Sequence, residues 1–98
     1  MDSGWIKLHR KLTEWEWYTD VPTKTLFIHL LLTVNYEPGK WRGIDVPKGA
    51  KITSREKLAK ETGLSQQQIR TALNKLESTS EITKSTTSTY TLIQLTNY

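Results

Sequence analysis

A chain of 98 residues and 11.3 kDa, 36% hydrophobic and 24% charged, has room for one buried core and not two. It contains no cysteine, which excludes disulfides, thiolate zinc sites and cysteine nucleophiles. The formal charge of +4 sits mainly in the second half: residues 1–50 hold seven Lys/Arg against six Asp/Glu, and residues 51–98 seven against four, a mild pull towards a polyanionic partner.

No apolar run approaches the roughly 18 residues of a membrane span. Met1-Asp2-Ser3-Gly4 lacks the basic-then-apolar order of a secretion signal, so a cytoplasmic protein is expected. Gly4-Trp5-Ile6-Lys7-Leu8-His9-Arg10-Lys11-Leu12 mixes alternation with helical spacing at Leu8 and Leu12. It predicts a short extended lead-in followed by one or two helical turns. Glu14-Trp15-Glu16-Trp17-Tyr18 is aromatic on alternate positions and runs into a turn at Thr19-Asp20-Val21-Pro22. Pro22 is read as rejecting helix before it, with Thr23 as N-cap of a helix over about 23–35. Seven of the nine residues Leu26–Val34 are apolar, so this helix is central to the core or also supplies an interface.

Glu37-Pro38-Gly39-Lys40 reads as a turn, Trp41–Val46 as a partly buried extended arm, and Ala50-Lys51-Ile52 as a short strand. Thr53-Ser54-Arg55-Glu56 then carries a capping-box spacing that opens a helix over about 54–62. Gly63 ends it, because glycine takes the left-handed conformation without a steric penalty. Ser65-Gln66-Gln67-Gln68 repeats the capping pattern, and Ile69, Ala72, Leu73 and Leu76 follow at helical spacing over 65–78. Helix, three-residue turn and second helix are thus written into residues 53–78. Residues 83–91 hold seven Ser/Thr in nine, which favours strand over helix. With Tyr90–Leu95 returning, a hairpin over 82–95 with a polar tip at Thr86-Thr87-Ser88 is expected.

The second helix separates into two faces. Ile69, Leu73, Leu76 and Ala72 point inward, while Gln67, Arg70, Thr71 and Asn74 lie about one turn apart outside, flanked by Gln66 and Lys75. Arg can donate bidentately to guanine, and Gln or Asn can pair with adenine. Gln66, Gln67, Arg70, Thr71 and Asn74 are therefore candidate base contacts. Lys51, Ser54, Arg55, Lys57, Lys60, Ser65, Lys75 and Lys84 are candidate phosphate contacts, with free N–H groups at the helix starts assisting. The plain alternative is a solvated polar face.

Leu58-Ala59, Gly63-Leu64-Ser65, Ile69-Arg70, Leu73 and Leu76-Glu77 together look like a helix-turn-helix, and with the Ser/Thr-rich hairpin the pattern is similar to the winged variety. The Gly4–Leu12 opening, the Glu14–Tyr18 cluster and Val46-Pro47-Lys48-Gly49 with Thr53-Ser54 resemble the N-terminal domain of phage and prophage replication proteins, the replisome organisers and DnaD-like initiators. The resemblance implies one domain over residues 1–98: mainly α with a small β-hairpin, a winged helix-turn-helix with a three-helix core plus wing. It implies origin DNA binding, self-association and a helicase-loading partner, and a second domain in full-length relatives. Where the family favours glycine before the wing strand this chain has Thr79-Ser80-Glu81, which asks Ser80 to take the left-handed conformation itself. The wing carries only Lys84 as a cation between Thr83 and Thr91, so its phosphate contacts are expected to be hydroxyl-based or weak, and a wing used for protein contacts stays open. The expected function is double-stranded DNA binding in replication initiation. The alternatives are transcriptional regulation through the same helix and a protein assembly module.

Trp5, Trp15, Trp17 and Trp41, with Tyr18, could stack single-stranded nucleic acid. The preferred reading makes them core or subunit interface. His9 and His29 lack a third ligand at metal spacing, and His29 is expected as a hydrogen-bonded core histidine. Glu14 and Glu16 have no accompanying nucleophile, and no Walker or dinucleotide pattern occurs. Neither catalysis nor a cofactor is expected.

Overall fold

The computed structural model describes residues 6–96; Trp5 and the start of the expected lead-in lie outside the described residues. A single 3-10 turn, Arg10–Glu14, is capped by the His9 ring, whose Nδ1 accepts from the Lys11 N–H at 3.0 Å. Helix α1 spans Val21–Thr33, two residues earlier than expected at each end. Asp20 is its N-cap, accepting from the Thr23 N–H at 3.2 Å, and Pro22 lies inside the first turn. Proline's missing N–H costs nothing there, because the first-turn donors have no intrahelical partner in any case. Thr23, read as the cap, is instead buried in the core.

After α1 the chain forms two strands, β1 (Gly39–Trp41) and β2 (Ile44–Val46), in an antiparallel pair with Trp41 opposite Ile44. The turn between them is Arg42-Gly43, both at positive φ (49° and 80°), the backbone of the tight hairpin turns that follow the twist of a strand pair. β3 (Ala50–Thr53) leads to α2 (Arg55–Thr62), then α3 (Gln66–Ser78), β4 (Ile82–Thr86) and β5 (Thr91–Leu95). β5 is central in a three-stranded antiparallel sheet of order β3-β5-β4. Its registers place Ile52 opposite Leu92 and Ile82 opposite Leu95.

The expectation of a mainly helical domain with one small hairpin is therefore corrected. Among the described residues, three helices stand beside five strands in two antiparallel sheets, a small compact α/β domain. The two extra features have different causes, one local and one long-range. The arm at 41–46 folds back on itself because Gly43 takes the second left-handed position of the turn. The isolated 50–53 segment gains partners for its backbone groups along the free edge of β5.

One core joins the layers. Leu26, Leu30 and Val34 of α1 and its cap meet Leu58 of α2, the inward row Ile69, Ala72, Leu73 and Leu76 of α3, and Ile82, Ile93 and Leu95 of the sheet. Fully burying each large aliphatic side chain is worth about 1.5–3 kcal/mol, so this row decides which flank of α3 is left facing water. Among the described residues no helix is long and apolar enough to cross a membrane.

Candidate functional site

The α2–α3 corner is held by three local devices. Ser54 caps α2 by accepting from the Lys57 N–H at 3.1 Å, so the cap is Ser54 and not the Thr53–Glu56 pair. Thr53 ends β3 and is buried. Gly63 closes α2 at φ 79°, and its N–H donates to the Ala59 carbonyl at 3.0 Å. Ser65 then opens α3 with both bonds of a capping box: its hydroxyl accepts from the Gln68 N–H, and the Gln68 side chain accepts from the Ser65 N–H. Two orphan donors at the start of α3 are satisfied this way, which defines where the helix begins and hence which residues face out.

That outward flank is exposed along its length: Gln66, Gln67, Arg70, Thr71 and Asn74 all face solvent. It divides into two strips. Arg70 and Asn74, with Leu73 at the floor, border an open cleft of about 260 Å³ whose other walls are Arg55 at the start of α2 and Lys84, Thr86 and Thr91 of the β4–β5 hairpin. No carboxylate lines this cleft. Lys84 reaches across it, its Nζ donating to Asn74 Oδ1 at 3.2 Å, with Glu77 3.8 Å away at the edge. Gln67 and Thr71 turn to the other side, where they border a smaller recess shared with Lys75 of α3 and with Asp20 and Pro22 at the start of α1. The Gln67 amide donates to the Thr71 hydroxyl at 3.4 Å.

The expected cations likewise separate. Arg55, Lys57 and Lys60 are exposed on α2. Lys51 is not available as a phosphate contact: its side chain is only 13% exposed, its Nζ donates to Thr33 Oγ1 at 2.9 Å, and Glu61 lies 3.9 Å away. Burial pushes the Lys51 ammonium below its usual range, with the Glu61 carboxylate opposing that shift. Lys75 is also committed, ion-paired to Asp20 and set over the Trp17 ring at 5.6 Å. That hydrogen bond from Lys75 is the main reason Asp20 titrates below the usual carboxylate range. Ser54 and Ser65 spend their oxygens as caps, although each hydroxyl proton remains free to donate.

His29 is hydrogen-bonded as expected, but it is not a core residue. Its ring is 19% exposed and its Nε2 lies 2.9 Å from Glu61 Oε1, bridging α1 to α2. This bond is the largest cause of the lowered Glu61 pKa. Among the described residues, the tryptophans Trp15, Trp17 and Trp41 do not gather into one platform. Trp15 packs on Phe27 at 4.8 Å, Trp17 donates from Nε1 to Thr79 Oγ1 at 3.0 Å, and Trp41 meets Tyr90 at 5.4 Å. Ser80 takes the left-handed conformation at φ 64°, performing the turn into β4 that a glycine would make without strain.

Thr86 and Thr91 belong to the cleft, where the sequence offers wing hydroxyls without placing them, and Leu73, expected in the core, also reaches its wall. The hairpin register that sets Thr86 opposite Thr91 is the signal that would have found the two threonines, and it depends on the turn length. Searches of protein-family models, curated proteins and solved structures returned no match to the chain. What defines the protein here is a small α/β domain whose second and third helices and terminal hairpin enclose a cationic, carboxylate-free cleft.

Proposed function

We propose that the chain binds double-stranded DNA, with α3 lying along the major groove and its Arg70–Asn74 strip on base edges. One observation carries the reading: Arg55, Arg70 and Lys84, from three different elements, converge with Asn74 on one open cleft that no carboxylate lines, Glu77 standing at its edge 3.8 Å from Lys84. A polyanion with hydrogen-bonding edges matches that chemistry. Guanidinium groups suit phosphates and guanine, and an asparagine amide suits adenine. Arg55 and the exposed Lys57 and Lys60 grip the backbone, and Thr86 with Thr91 adds hydroxyl donors from the hairpin. The likeness to replisome organisers and DnaD-like initiators supports a place in phage or prophage replication initiation, with a helicase-loading protein as further partner.

Replacing Arg70 with Ala should cost about 1–3 kcal/mol on the preferred duplex and relax preference at one base pair, while Lys57→Ala weakens all duplexes alike and lowers the salt slope by about 1. Fluorescence anisotropy with preferred and random duplexes at two salt concentrations measures both. Equal losses on both duplexes for Arg70→Ala would remove α3 from the groove.

A second reading, self-association, is favoured by a separate observation. Val21 and Leu32 of α1 are 61% and 59% exposed, and Leu12, Trp15 and Phe27 border an apolar recess of about 420 Å³ between the 3-10 turn and α1. Exposed apolar side chains and an apolar recess on the same helix suit contact with a second protein surface.

A further inference from the structure

The two hairpins meet at Trp41 and Tyr90, and the chemistry there is that of a base-stacking site. Trp41 of β1 and Tyr90 before β5 are both half-buried, with ring centroids 5.4 Å apart and planes inclined at 62°. The Arg42 guanidinium lies 4.9 Å over the Trp41 ring, and the residue itself is exposed. Among the described residues no carboxylate pairs with Arg42, while the nearby Asp45 is taken by Lys40 at 3.6 Å. A flat cation on an aromatic face can stack a base on its outer side and still donate to a phosphate.

The backbone supplies the second indication. Arg42 sits at φ 49° in the first position of the β1–β2 turn, where asparagine, aspartate or glycine is the unstrained choice. A brace between two hairpins has no need of a strained arginine at that position. Strain of this kind clusters at functional positions, and here the strained residue also carries the cation set over the Trp41 ring. The opposing loop is held in place: the Thr87 hydroxyl accepts from the Thr89 and Tyr90 N–H groups at 3.2 Å each, and the Thr87 N–H donates to the Tyr90 carbonyl at 2.8 Å. Tyr90 directly precedes Thr91 in the wall of the cationic cleft, so one surface runs from the cleft to the hairpin tips.

We infer that Trp41, Tyr90 and Arg42 form a binding site for single-stranded DNA, with a base stacked at the aromatic pair and its phosphate on Arg42. The site is additional to duplex binding at α3 and does not depend on it. The same protein would then engage a duplex and an adjoining unpaired strand at once.

The test uses the full chain with a fluorescein-labelled oligo-dT of about 15 nucleotides, long enough for one small site, alongside a blunt duplex. Trp41→Ala should weaken oligo-dT binding by about tenfold or more, the usual scale of losing one stacked base. Trp41→Phe should restore most of it, and blunt-duplex affinity should stay the same in both. Oligo-dT should quench wild-type tryptophan emission, and Trp41→Phe should lose that quenching, a readout that stands even if Trp41→Ala unfolds. The inference is overturned if the wild type ignores oligo-dT, if quenching survives in Trp41→Phe, or if folded Trp41→Ala loses duplex and oligo-dT equally. A wild type that binds oligo-dT through Trp41 but no duplex would uphold this site and remove the α3 reading.

Discussion

Arg70 and Lys75 lie five positions apart on α3, and the surroundings give them opposite roles. Arg70 opens onto the cleft, whereas Lys75 is held by Asp20 at the start of α1 and by the Trp17 ring. Lys75→Met should therefore leave the salt dependence of duplex binding unchanged and lower stability by about 1 kcal/mol, the upper end for a partly exposed ion pair. The pair also sets a pH response. Asp20 titrates below its ordinary 3.8 because Lys75 stabilises the carboxylate. That contribution is complete above the ordinary value and is lost as pH falls through the lowered one. Thermal unfolding of the wild type should show a falling midpoint below about pH 4, and Lys75→Met a flatter curve over the same window. An unchanged slope in the variant would deny the pair its role. The exposed strip of α3 could be read from its period, but the engagement of Lys75 could not, since Asp20 lies 55 positions away in the chain.

At the level of elements, the α2–α3 corner depends on Gly63 more than on any contact it makes. A Cβ built there meets nothing within 4 Å, yet the backbone sits at φ 79°. Gly63→Ala is therefore opposed by conformation alone, a cost of about 1 kcal/mol, and Gly63→Asn by less, because asparagine tolerates the left-handed region. Urea unfolding of the two variants gives the comparison, and an Ala variant as stable as the wild type would show that the corner can be made another way. This element was legible because its signals are local: a serine cap, a glutamine at the third position, a glycine stop. The β1–β2 hairpin was not, since its turn carries Arg42 in place of the asparagine or aspartate that usually announces it. The start of α1 was displaced for a related reason. Pro22 and Thr23 look the same in sequence whether the proline precedes the helix or occupies its first turn, and only the Asp20 cap distinguishes the two.

At the scale of the described molecule, the cationic cleft and the exposed apolar side chains of α1 belong to different elements. The cationic cleft lies between α2, α3 and the β4–β5 hairpin, while the exposed apolar residues Val21 and Leu32 belong to α1. The two proposed activities are thus separable by mutation. If α1 carries self-association, Leu32→Lys should reduce the sedimentation mass to that of a monomer while leaving duplex affinity within about twofold, as expected for sites that share no residues. A monomeric wild type would dismiss the assembly reading and leave the DNA reading untouched.

The linear chain by itself determined the three helices, the glycine corner and the division of α3 into a buried row and a wet strip. Caps, breakers and the helical period act between residues a few positions apart, so they are visible without a partner. Tertiary structure alone decided that β3 joins β5, that Lys51 and Lys75 are occupied, and that Arg55, Arg70 and Lys84 share one cleft. Each of these depends on which distant segments meet, and strand pairing and ion pairing are settled only when the buried faces have packed.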